Sequence, residues 1–150
     1  MNKLTLQVPA KMFSQLIAGL GVYPADANVS NIVDDTRQLK VGDTFLCLPR
    51  VPNLKAVTED AISKGAASII FVSNLDQTPD IPYAHLPDMA AAGNMLRRWF
   101  ETESTITPCI GITGTDGKTS TAWMLREVLS QHLGCAWSCG TLGLVRQTDD

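Results

Sequence analysis

Apolar and polar positions alternate along this chain in ways that mark out a mixed α/β order. In "PAKMFSQLIAGLG", Met12, Leu16, Ile17 and Leu20 recur at helical spacing, and Gly21 is placed to stop the turn. That spacing predicts a helix across 9–21. Val41, Gly42 and Asp43 read as a turn, and 44–48 as a strand. "PRVPNLK" carries two prolines and an asparagine and reads as a loop. Thr58 is the expected cap of a helix over "EDAISKGA", with Gly65 at its end. "ASIIFVS" is an unbroken run rich in β-branched residues, the pattern of a strand covered on both faces. A proline-rich loop follows, with a short strand expected at 81–85. "MAAAGNMLRRWFETE" returns to helical period, with Met89, Ala92, Met95, Leu96 and Trp99 on one face.

The polar stretch "STITP" then separates two patterns, and the expected division is 1–105 and 106–150. "CIGIT" should be a strand. A helix is expected from Lys118 to about Leu133, with Ala122, Leu125, Val128, Leu129 and His132 on its inner stripe. "CAWSCGTLG" should be a second strand leaving into a glycine turn. Strand, loop, helix and strand in that order predict the opening of a parallel βαβ unit. A single such unit cannot cover its own faces, so 106–150 is expected to open a larger domain.

Composition narrows the function classes. Apolar residues make up 45% of the 150 and charged residues 18%, enough for a packed core. The net charge of −3 gives no general electrostatic reason to bind nucleic acid. Cys47, Cys109, Cys135 and Cys139 form no CxxC pair, and neither His85 nor His132 sits in a metal motif. Both histidines are expected at the surface or at a helix end. "MNKLTLQVPAKMF" lacks the apolar core of a signal peptide, and no apolar run reaches the ~20 residues that span a bilayer. Free thiols and a cytoplasmic setting are the expectation. Trp99, Phe100, Trp123 and Trp137 fit packing positions better than a base-stacking platform.

The chemistry concentrates at "GITGTDGKTSTAWMLREVL". Gly111, Gly114 and Gly117 let the backbone bend close to a ligand. The amides of residues 115–119 can then face a polyphosphate, helped by the helix N-terminus. Lys118 offers a cation for the β- and γ-phosphates, and Thr119 a hydroxyl for Mg²⁺. The general NTPase pattern wants glycine where Ile112 stands, so the spacing is off by one place.

That spacing resembles the G-[IV]-T-G-T-N-G-K-T-[TS]-T loop of the Mur ligases, which add amino acids in peptidoglycan synthesis. "DDTRQLKVGDTFLCL", "AISKGAASIIF" and "CGTLG" resemble three more segments of those enzymes, in the same order, over residues 30–144. The likeness is strongest to the MurE type. The resemblance implies an α/β fold: a MurE-like N-terminal domain, then the start of a Rossmann-like ATPase domain. It implies ATP and Mg²⁺ as cofactors, with Gly114, Thr115, Asp116, Gly117, Lys118, Thr119 and Ser120 at the phosphates and Thr119 at the metal. Its partners would be a UDP-linked muramoyl peptide and an amino acid, diaminopimelate or lysine. The reaction would run through an acyl phosphate, and the catalytic residues would lie beyond Asp150. The 150 residues alone are therefore expected to be inactive.

Two departures stand out. Asp116 replaces the family's asparagine, either as a residue suited to a helix N-terminus or as a carboxylate that weakens ATP binding. By the resemblance, Thr36 matches the family serine that touches the UDP portion, and Asp34 takes a place where the family often has an apolar residue against the uracil. "PRVPNLKAVTEDA" lacks the family's glycines, Asp-Gly pair and aromatic. Arg50 and Lys55 are the nearby cations, expected to be solvated; Asp35 and Arg37 are expected to form a turn-shaping ion pair. The alternatives are a paralogue that ligates a different acid and a naturally short, non-catalytic binding protein. Oligomeric state is left open.

Overall fold

The computed structural model describes residues 8–49, 53–73, 78–104 and 108–148. It divides into two compact units, Met1–Ile106 and Thr107–Asp150.

The first unit is a layered α/β structure. Strands β1 (Lys11–Met12) and β2 (Asn28–Val29) pair antiparallel beside the short helix α1 (Phe13–Leu16). Four parallel strands form the main sheet: β3 (Ile32–Val33), β4 (Thr44–Cys47), β5 (Ser68–Val72) and β6 (Tyr83–Leu86), in that spatial order. Helix α2 (Leu54–Ser63) joins β4 to β5, and α3 (Met89–Trp99) follows β6. The period-two alternation of the strands divides the core between two faces. Leu46, Ile70, Val72 and Leu86 pack with Met95 and Trp99 of α3 and with Phe13 and Leu16 of α1. Phe45, Cys47, Ile69 and Phe71 turn the other way, onto Ala61 of α2. All five β5 residues are buried, as a strand covered on both faces requires. Each such large side chain contributes about 1.5–3 kcal/mol by leaving water. The hydroxyls of Thr44 and Ser68, paired in register, satisfy each other at 2.8 Å inside this core.

Several expected elements differ. The helix over 9–21 shrinks to the four residues of α1. Gly19 adopts φ +72°, a left-handed turn that no helix continues through, and Arg98 caps the freed carbonyls of Leu16 and Ala18 at 3.2 and 2.7 Å. Helix α2 begins earlier than Thr58. Asn53 caps it by accepting from the Ala56 amide at 3.1 Å, and Thr58 lies inside the helix with its hydroxyl buried and unpartnered. Asp88 caps α3 in the same way, through Ala91 N at 2.8 Å. The strand expected at 81–85 runs over Tyr83–Leu86 instead. Met89, at the start of the apolar face of α3, is exposed. His85 sits in that sheet rather than at the surface, with Nε2 buried and unpartnered among the described residues. Its backbone pairs with Val22, and there a Cβ on Gly21 would stand 2.1 Å from the His85 carbonyl oxygen.

In the second unit, α4 runs over Lys118–Leu133, as the periodicity predicted, and ends at Gly134 in the left-handed conformation. Strands β7 (Cys135–Gly140) and β8 (Gly143–Thr148) follow. They pair antiparallel with each other, so the expected parallel βαβ pair is absent among the described residues. The segment 109–113 is not a strand either. A strand exists only with a ladder partner, and the ladder in this unit is taken up within the hairpin. The inner stripe of α4 is Ala122, Leu125, Arg126, Leu129 and Ser130; Val128 and His132 are exposed. Trp99 is core, but Phe100, Trp123 and Trp137 are about half exposed. Arg126 lies 4.9 Å over Trp123 and Arg146 lies 5.8 Å over Trp137. Among the described residues no helix is long and apolar enough to cross a membrane, and no cluster of metal-ligating side chains occurs.

Candidate functional site

The glycine loop leads directly into α4. Gly117 is the N-cap, left-handed at φ +74°, and supplies no side-chain cap. The amides of Lys118, Thr119 and Ser120 therefore open the helix without a protein partner among the described residues. No acidic residue lies in that first turn. Gly114 sits at φ +152°, a conformation close to glycine's own. Residues 113–120 are all exposed. This is a donor-rich, uncapped helix start, which suits an anion.

Lys118 folds back over the loop. Its ammonium donates to the Gly114 carbonyl and, at 2.9 Å, to the Thr115 carbonyl. The cation is thus held beside the helix start. Among the described residues Asp116 makes no side-chain hydrogen bond, and it does not cap α4, whose N-cap is Gly117. The expectation that it serves as the cap does not hold. Thr119 turns its hydroxyl toward that of Thr141, 3.5 Å away in the turn between β7 and β8. The left-handed non-glycine positions are Ser73 and Glu101 among the described residues, so Thr141 and Leu142 keep ordinary φ. Gly143 takes the positive φ, +84°, that closes the turn. Residues 114–120 are therefore gathered across the loop and the first turn of α4. Thr141 is a neighbour that the motif spacing did not single out; its position in "CGTLG" was the available signal.

The first unit separates its candidates. Asp34 lines a cavity of about 740 Å³ with Ser30, Asn31, Leu46, Trp99 and Phe100. Thr36 does not line it. The carboxyl of Asp60 of α2 is held below its usual range first by Lys64, 2.7 Å away, and then by Thr36. The chain turns at Thr36 because Asp35 accepts Arg37 Nε and Nη2 at 2.9 and 2.8 Å and the Arg37 amide at 2.9 Å. Those bonds hold the Asp35 carboxyl far below the ordinary carboxylate range. The expected turn-shaping pair is present. Lys55 is exposed and 3.9 Å from Glu59; Arg50 lies outside the described residues. Cys47 is buried among apolar neighbours, which pushes its thiol up to about 11.

No family model matches the chain. Curated relatives do. The UDP-N-acetylmuramoyl-L-alanyl-D-glutamate–2,6-diaminopimelate ligase of Coxiella burnetii is 31% identical over 142 residues, covering 89% of this chain and 28% of that protein. The Xylella fastidiosa (strain Temecula1) protein of that name is 32% identical over 124 residues, covering 79% and 25%. The one from Clostridium perfringens is 31% identical over 108 residues, covering 71% and 22%. The chain is a Mur ligase homologue. Its fold agrees: MurF from Acinetobacter baumannii superposes with a TM-score of 0.53 at 24% identity, over 84% of this chain and 28% of that one. This Mur ligase homologue spans about a quarter of the length of the curated relatives it matches.

Proposed function

We propose that this chain is the N-terminal part of an ATP-dependent amide ligase of peptidoglycan precursor synthesis. The observation that carries the reading is the uncapped start of α4, with Gly117, Lys118 and Thr119 set on the spacing peculiar to Mur ligases. In this reading the amides of residues 118–120 receive the terminal phosphates of ATP. Lys118 exchanges the Gly114 and Thr115 carbonyls for phosphate oxygens. Thr119 lends its hydroxyl to Mg²⁺, whose chemistry is to bridge phosphates and draw off their charge. The exposed donor set fits both groups. The first unit docks the UDP end of the substrate, and the second opens the ATPase domain. A substrate carboxylate would take the γ-phosphate and an amine would then displace it, forming the amide.

Titration calorimetry with MgATP tests the phosphate site. Binding is expected for the 150-residue chain. Lys118→Ala should weaken it about 10- to 100-fold, as loss of a charged hydrogen bond does. No difference between the two proteins would remove Lys118 from the site. Turnover is expected to be absent, because the chain is only about a quarter of its relatives' length.

A second reading, ligation of a different acid, draws on the first unit. Asp34 lines the cavity, whereas Thr36 does not. Calorimetry with UDP separates the two readings: binding that Asp34→Leu strengthens favours the muramoyl substrate, and no binding favours the other acid.

A further inference from the structure

A threonine that ligates Mg²⁺ does so through an oxygen lone pair, so its proton must point away from the cation and needs an acceptor. For Thr119, among the described residues, the side-chain oxygen within reach is that of Thr141, at 3.5 Å. Thr141 stands at the tip of the β7–β8 hairpin, held there by the Gly140 and Gly143 pairing and the positive φ of Gly143. Thr119 and Thr141 are both exposed residues.

We infer that Thr141 is a positioning residue of the nucleotide site: it accepts the Thr119 proton and leaves its own hydroxyl to donate to a phosphate oxygen. The inference rests on the ATP reading of the loop. Two consequences follow from the chemistry. Without Thr141, the Thr119 hydroxyl is free to rotate its proton toward the metal, so metal-assisted binding weakens most. Metal-free nucleotide, held by amides and Lys118, depends on Thr141 less. Serine keeps the hydroxyl, whereas valine keeps the shape and removes it.

The test uses the 150-residue chain and calorimetric titration with ATP, once with Mg²⁺ and once with EDTA. Thr141→Val is expected to weaken MgATP binding about fivefold, the scale of one neutral hydrogen bond, and metal-free ATP by less. Thr141→Ser should restore the wild-type ratio of the two affinities. Thermal melts of each variant without nucleotide check that the hairpin is intact. An unchanged ratio in Thr141→Val, or equal loss in both variants, would overturn the role of Thr141 while leaving the ATP reading standing. Failure of the wild-type chain to bind MgATP would overturn both.

Discussion

Asp116 and Lys118 carry opposite charges within three residues of each other at an exposed helix start. Among the described residues the Asp116 side chain has no hydrogen bond of its own, so its carboxylate would add repulsion to any phosphate seated there. Two unit charges ~6 Å apart in water interact by roughly 0.7 kcal/mol. Asp116→Asn should therefore tighten MgATP binding about threefold at low salt, and the gain should fade by ~1 M NaCl. Equal affinities at low salt would refute it. Asp35 gives a prediction in acid. Its folded pKa is depressed by Arg37, so its stabilisation is full above about pH 4, near the unfolded value, and is lost progressively as pH falls from there through its lower folded value. Arg37→Gln should shallow the fall of melting temperature between about pH 5 and pH 2. Because Arg37 is 86% exposed, salt should shrink the difference.

At the scale of elements, the close approach of Gly21 to His85 joins the α1 region to the sheet edge at β6. A methyl group at Gly21 would collide with backbone, not with a side chain that can swing aside. Gly21→Ala should cost about 1–3 kcal/mol, read as a lowered urea midpoint with unchanged slope. A midpoint equal to wild type would mean the Val22–His85 bridge is dispensable. Elements were legible where periodicity and caps agreed. The bounds of α4 follow from its glycines at both ends, and β5 from its unbroken apolar run. They were illegible where a tertiary contact decided the outcome. Arg98, eighty residues away in sequence, takes over carbonyls that a longer α1 would have used. Pro52 next to Asn53 suggested loop, while the Asn53 side chain starts a helix. The loop 114–120 was readable because all its parts are consecutive. Thr141 joins it only through the fold of the hairpin, and the Asp34 cavity is lined without Thr36.

For the whole molecule, the two units differ sharply in what they bury. The first has two apolar clusters, one on each face of its parallel sheet. In the second, the buried residues among those described are Arg126, Ser130 and Ala136, while Trp123, Met124, Trp137 and Leu144 stand exposed. Residues 1–106 produced alone should keep a cooperative thermal transition. Residues 107–150 alone should melt gradually by circular dichroism, since so small a core cannot offset chain entropy. A sharp transition in the shorter piece would contradict this account.

The fold-back of Lys118 changes how its removal must be interpreted. The Gly114 and Thr115 carbonyls hold the ammonium, so under the proposed function they would compete with phosphate oxygens for it. Under that reading, arrival of the nucleotide would be an exchange of partners rather than the filling of a vacant cradle. Truncating the side chain deletes the attraction and the competition together, and it also frees the loop that the lysine ties down. The measured loss of affinity for Lys118→Ala is accordingly a net value, smaller than the strength of the ammonium–phosphate contact itself.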